Sequence, residues 1–135
     1  MTDEQLAGLA VQARENAYAP YSGFLVGAAL LTAGGTVYTG VNIENAAYGP
    51  SNCAERTAFF RAVAEGERAF AAIAVAGWRD GRPGFAYPCG VCRQVMMEFC
   101  APDAFRILVT DGETIRAALM RELLPFGFGP ENLNG

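Results

Sequence analysis

Histidine is absent from the 135-residue chain, which removes the most frequent general base and the commonest metal-binding imidazole from any mechanism it could carry. Charge is sparse as well: 18% of residues are Asp, Glu, Lys or Arg, against about 25% in an average soluble domain. The ten basic residues form no cluster, and the net charge is −4. A protein that grips polynucleotide needs a basic face to neutralise phosphates, so no nucleic-acid partner is expected and a small molecule is favoured. Long apolar runs are also missing. The longest, Phe24 to Leu31 and Phe70 to Gly77, fall well short of the roughly 20 residues that span a bilayer, so no membrane partner is expected. The opening Met1-Thr2-Asp3-Glu4 lacks the basic start of a signal peptide, and the expected location is cytoplasmic. Thiols stay reduced there, so the four cysteines read as metal ligands or buried thiols rather than as disulfides.

What is present fits one α/β domain over residues 1–135. Hydrophobic residues make up 52% of the chain, enough for a real core, and with so little charge they suggest apolar surface shared between subunits. Thr2 and Gln5 form a capping-box start, and apolar positions at helical spacing predict a helix over Asp3 to Ala17, ending before Pro20. Phe24 to Thr32 and Thr36 to Asn42, joined through Gly34-Gly35, predict a hairpin. A second helix is expected from Cys53 to Glu65, capped by Ser51 or Asn52 and closed by Gly66. Phe70 to Gly77 predicts a strand buried on both faces. Trp78 to Tyr87 reads as a loop, and a third helix follows Pro88 to about Phe99. Phe105 to Thr110 predicts the fourth strand, with Asp111-Gly112 as its turn. A short fifth strand and a short helix through Arg121 to Leu124 complete the order. Strands linked by crossover helices imply parallel pairing, whereas the opening hairpin is antiparallel. The expected architecture is a three-layer α/β/α fold around a mixed five-stranded sheet.

Two short segments carry the chemistry. Cys53-Ala54-Glu55-Arg56 opens one helix, and Pro88-Cys89-Gly90-Val91-Cys92 opens another. A Cys-x-x-Cys pair at a helix amino terminus suits a metal, because the dipole there favours thiolate. Two helices on one face of a sheet can bring Cys53, Cys89 and Cys92 to one point. Three thiolates suit Zn²⁺, one per chain, and leave the open position that marks catalytic rather than structural sites. Cys100 lies too far along its helix to join them and reads as a buried thiol. Without histidine, a proton-transfer group must be a carboxylate or, failing that, a Lys, Cys or Tyr. Glu55 fits by type and place: it could take a proton from a metal-held water and return it to a leaving group. The blander alternatives stay open at this point. Cys89 and Cys92 could be a closed zinc site or a redox pair, Glu55 a solvated first-turn glutamate, and Arg56 a surface arginine.

Cys53-Ala54-Glu55 with Pro88-Cys89-Gly90-Val91-Cys92 matches the signature of the zinc nucleobase deaminases in its three-cysteine form. Nearly the whole chain resembles the small homotetrameric zinc-dependent cytidine deaminases. The resemblance is carried by Ala17-Tyr18-Ala19-Pro20-Tyr21-Ser22, Val26-Gly27-Ala28-Ala29-Leu30, Asn42-Ile43-Glu44-Asn45-Ala46, Cys53 to Ala58, Pro88 to Gln94 and Glu122 to Pro125. It implies hydrolysis of cytidine and deoxycytidine to uridine and deoxyuridine with release of ammonia, in pyrimidine salvage. It also implies roles: Cys53, Cys89 and Cys92 as zinc ligands and Glu55 as the catalytic proton shuttle. Asn42 and Glu44 resemble the pair that holds the ribose hydroxyls, and Phe24 the wall against the pyrimidine. Ala54 and Tyr48 are expected at the substrate, Tyr48 in a region of subunit contact. Phe128 resembles an aromatic that reaches the base from a neighbouring subunit, in a homotetramer with shared sites. Arg56 resembles the arginine that hydrogen-bonds the thiolates, with Gln94 placed in the same supporting shell. Val41 and Ala47 depart from the cysteine and serine often found there, away from the chemistry. Alternative functions are deamination of a blasticidin-type nucleoside antibiotic, a zinc-binding scaffold without catalysis, or a thiol oxidoreductase; the last requires neither Cys53 nor Glu55.

Overall fold

Thr2 and Gln5 cap the first helix reciprocally: the Thr2 hydroxyl accepts from the Gln5 N–H at 3.1 Å, and the Gln5 side chain accepts from the Thr2 N–H at 2.9 Å. The computed structural model, which describes residues 1–134, runs this helix, α1, over Asp3–Ala13 and tightens it into a 3₁₀ turn at Arg14–Asn16. The hairpin β1 (Phe24–Thr32) and β2 (Val37–Val41) follows, then α2 (Ala54–Ala64), β3 (Phe70–Arg79) and β4 (Arg82–Gly84). Next come α3 (Gly90–Phe99), β5 (Arg106–Thr110), β6 (Ile115–Leu119), α4 (Met120–Leu123) and α5 (Glu131–Asn134). The mixed sheet runs β2-β1-β3-β5-β6. To the five strands expected from the sequence, the structure adds β4, which folds back on the end of β3 through the turn at Asp80 and Gly81, both at positive φ. The Trp78 to Tyr87 stretch is therefore partly strand rather than loop.

Pairing corrects one expectation. β3 and β5, joined across α3, are parallel neighbours. β2 and β3, joined across α2, do not pair, because β1 lies between them and is antiparallel to both. Burial gives the reason: β1 is almost wholly buried and takes an interior place, whereas β2 is mostly half-exposed and serves as an edge.

Alternation along the strands divides the core. Val26, Ala28, Leu30, Ile73, Val75, Ile107 and Val109 face α2 and α3, meeting Ala54, Ala58, Phe59, Cys92 and Met96. Ala29, Ala72, Ala74, Ala76 and Leu108 face α1 through Leu6, Ala7 and Ala10. Helices thus cover both faces of the sheet, in the three layers expected.

Gly40 seats α2. A Cβ at that position would stand 2.3 Å from the Ala54 carbonyl oxygen and 2.5 Å from the Ala58 N, distances no packing tolerates. Glycine in this edge strand lets the first turn of α2, which carries Glu55 and Arg56, lie directly on the sheet. Gly40→Ala is expected to cost about 1–3 kcal/mol by overpacking, seen as a fall in Tm of about 3–10 °C. A variant melting within about 1 °C of the wild type would contradict this account of the close approach.

Candidate metal and active site

Cys53 and Cys89 occupy the N-cap positions of α2 and α3, and neither makes a side-chain capping hydrogen bond. Ser51 and Asn52, the caps expected from the sequence, are engaged elsewhere. The Ser51 hydroxyl accepts from the Asn45 N–H at 3.0 Å. Asn52 exchanges two backbone hydrogen bonds with Ile43, and its amide donates to the Thr57 hydroxyl at 3.2 Å. Neither cap thiol is spent on its own helix end, and each lies at the positive end of a helix dipole.

α2 and α3 pack on the same sheet face with their amino termini together. Cys53 Sγ lies 3.7 Å from Cys89 Sγ, and Cys89 Sγ lies 3.5 Å from Cys92 Sγ. All three sulfurs fall within 4.8 Å of one another, and among the described residues no carboxylate joins them at that spacing. Zn–S bonds of about 2.3 Å at tetrahedral angles put sulfurs about 3.8 Å apart, so the cluster fits Zn²⁺ with little adjustment and offers three ligands, not four. Cys100, at the far end of α3, lies outside the group, and burial raises its thiol pKa.

The electrostatics of the bare thiols point to a cation. A hydrogen bond from Cys92, with further ones from Arg56 and Cys89, draws the Cys53 thiol down to about 5. Cys92 moves the opposite way: its proton is held by the hydrogen bond to Cys53, and burial and the charges of Glu55 and Cys53 add to the rise. Among protein groups alone, one thiolate forms easily and discourages the next. Full ionisation of the trio calls for positive charge at its centre. Arg56 supplies part of it from outside, donating from Nη2 to Cys53 Sγ at 3.1 Å. Burial opposes the Arg56 charge, but its bonds to Cys53 and Cys92 outweigh that and hold it protonated. Arg56 is thus half-buried and bonded at the cluster, unlike a freely solvated arginine.

Glu55 is 4% exposed, not a solvated first-turn glutamate. Burial pushes its carboxyl up to about 7, against a smaller opposing effect from its own backbone N–H; the nearby Cys53 charge adds to the rise. A carboxyl poised near neutrality can both accept and return a proton.

The cluster opens into a cavity of about 310 Å³. Phe24, Asn42, Glu44, Cys53, Ala54, Glu55, Arg56 and Cys89 all line it, so most of the residues singled out in the sequence meet at one place. Asn42 is 9% exposed, with Oδ1 accepting from the Val26 N–H at 2.9 Å and Nδ2 donating to the Phe24 carbonyl at 2.7 Å. It pins the start of β1 while leaving one amide hydrogen unengaged. Val26, Ser51, Asn52, Val75, Ala86 and Tyr87 complete the wall. Val26, Val75, Ala86 and Tyr87 carry no chemical signature in the sequence, and Ser51 and Asn52 read there as helix caps rather than as cavity wall. Arg93 was noted only as part of a motif; it donates to the carbonyls of Pro88 and Leu123, both at 2.7 Å, and ties the Cys89–Cys92 turn to α4.

Four of the residues singled out lie outside the cavity wall, the first being Cys92, buried at the thiol cluster. Tyr48, at φ +44° and 76% exposed, borders a shallow hollow with Tyr21, Ser22 and Glu44. Phe128 is 58% exposed. Gln94 donates to the Phe128 carbonyl at 2.8 Å and thus supports the carboxyl-terminal segment.

Residues 1–107 match the family model described as the cytidine and deoxycytidylate deaminase zinc-binding region. Fold and thiol cluster together therefore define a zinc-binding deaminase domain. The chain is 50% identical over 134 residues to a cytidine deaminase of Halalkalibacterium halodurans, covering 99% of both chains. To a cytidine deaminase of Sporosarcina psychrophila it is 48% identical over 134 residues, covering 99% of this chain and 96% of the relative. The crystal structure of cytidine deaminase from Burkholderia pseudomallei matches it with a TM-score of 0.86 at 50% identity, covering 95% of this chain and 100% of that one. The chain belongs to the cytidine deaminase family, and it is a zinc-dependent hydrolase.

Proposed function

We propose that the chain deaminates free cytidine and deoxycytidine, releasing ammonia and leaving uridine and deoxyuridine. The observation that carries this reading is the convergence of three thiols, 3.5–3.7 Å apart along Cys53–Cys89–Cys92, beside a cavity lined by Cys53, Cys89 and the buried Glu55 carboxyl. Cys53, Cys89 and Cys92 would hold Zn²⁺, which would supply Lewis acidity and bring the ionisation of water toward neutral pH. Glu55 would take one proton from the attacking water and carry it to the ring nitrogen beside the attacked carbon. It then moves a second, from the new hydroxyl to the departing amine, which leaves as ammonia. Arg56 offsets the thiolate charge.

Phe24 forms the apolar wall beside the base, next to Ala54. Asn42 offers its remaining amide hydrogen, and Glu44 a carboxylate, to the sugar hydroxyls. Tyr48 and Phe128 serve the site of a neighbouring subunit in a homotetramer; their exposure, with that of Phe126, supports this. Residues 1–135 act as one unit. Among the described residues no helix is long and apolar enough to cross a membrane, and the acidic balance disfavours polynucleotide. The enzyme would act in the cytoplasm, in pyrimidine salvage, on free nucleosides.

An ultraviolet assay with cytidine, deoxycytidine, cytidine monophosphate and a cytosine oligonucleotide tests the proposal. Turnover is expected for the two free nucleosides. An enzyme active on the oligonucleotide but not on cytidine would overturn it.

A further inference from the structure

Ser22 has no part in the chemistry above, yet its side chain touches Glu44, at the sugar end of the cavity, and the backbone of Phe24, whose ring walls the base. Glu44 Oε1 accepts from the N–H groups of Tyr21 and Ser22 at 3.0 and 3.1 Å, and Oε2 accepts from the Ser22 hydroxyl at 2.5 Å. The same hydroxyl oxygen accepts from the Phe24 N–H at 3.0 Å. Gly23, at φ +68°, turns the backbone between Ser22 and Phe24 through a conformation that disfavours other residues.

An ionised carboxylate has about four acceptor positions. Two N–H groups fill those of Oε1, and the Ser22 hydroxyl fills one on Oε2, leaving one. The backbone donors fix Oε1 alone. The terminal carboxylate torsion has a broad profile, so Oε2 would swing about that anchor if the hydroxyl were removed.

We propose that Ser22 is a positioning residue for nucleoside binding: its hydroxyl fixes Glu44 Oε2 so that one lone pair meets the sugar, and registers that carboxylate against the Phe24 wall. The inference rests on the assignment of Glu44 to the sugar. Phe24 is also held by the Asn42 amide and by β1–β3 pairing, so the base wall keeps its place without the hydroxyl, and removal of the hydroxyl weakens sugar binding and spares the chemical step.

Steady-state kinetics on cytidine with the zinc-loaded enzyme test this through Ser22→Ala and Ser22→Thr, with inhibition by free cytosine as the sugar-free control. A hydrogen bond to a charged group is worth enough for about a tenfold change. Ser22→Ala is expected to raise KM about tenfold, with kcat within about twofold and cytosine inhibition unchanged; Ser22→Thr is expected to restore KM. A KM for Ser22→Ala within about twofold of the wild type would overturn the proposal, as would a parallel loss of cytosine inhibition. If Ser22→Ala does not accumulate as folded protein, Ser22→Cys, a weak donor of similar size, takes its place under the same criteria. A wild type that fails to deaminate cytidine overturns both this role and the functional reading. A wild type that turns over, with KM insensitive to Ser22, overturns the positioning role alone.

Discussion

Glu55→Gln is expected to lower kcat on cytidine by about 10³–10⁴-fold while leaving zinc bound. Glutamine matches glutamate in size and fits the same buried pocket in the first turn of α2, so neither the cavity nor the thiol cluster needs to rearrange. What it loses is the capacity to accept a proton. The chain has no histidine to take over. Among the carboxylates, Glu44 shares the cavity, but Ser22 and the Tyr21 and Ser22 backbone already hold it. Measured kcat and zinc content check the prediction together. A variant that kept more than about a tenth of wild-type kcat would remove Glu55 from the proton path.

Stripping zinc with a strong chelator is expected to bring turnover to background, and one equivalent of added Zn²⁺ per chain to restore it. Among the described residues that line the cavity, Arg56 is the one cation, and it is occupied at Cys53 and Cys92, so positive charge at the attacking water would have to come from the ion. Stability should fall too, since a ligand bound only by the native state favours folding. The loss is expected to be partial, because Val75, Ile107, Val109 and Phe59 form a core that extends well beyond the cysteines. Full activity in chelated, metal-free protein would contradict the reading. A return of activity with magnesium but not zinc would also contradict it, since thiolates select soft ions.

The cysteines and Glu55 were legible in the sequence because their spacing is local. A cap cysteine and a glutamate two residues on share one helical turn, and Cys89 and Cys92 share another. Element order was legible for the same reason, from the Thr2–Gln5 cap to the apolar run of β3. What could not be read was anything set by distant competition. The placing of β1 between β2 and β3 depends on which strand is buried most completely in the assembled sheet, a property of three strands at once. The caps at Ser51 and Asn52 were misread because Asn45, Ile43 and Thr57 outcompete the helix end for those groups. β4 escaped notice because Arg82–Gly84 contains proline and glycine, and pairs only through the left-handed turn at Asp80 and Gly81. The roles of Asn42 and Glu44 came from family resemblance rather than from chemistry visible in sequence; their hydrogen bonds to Phe24, Val26 and Ser22 exist only in the folded chain.

Zinc K-edge X-ray absorption on the loaded enzyme bears most directly on the metal centre. Three sulfur neighbours at about 2.3 Å and one lighter oxygen neighbour at about 2.0 Å are expected. Four sulfurs, or a shell without sulfur, would mean that Cys53, Cys89 and Cys92 do not form an open catalytic centre.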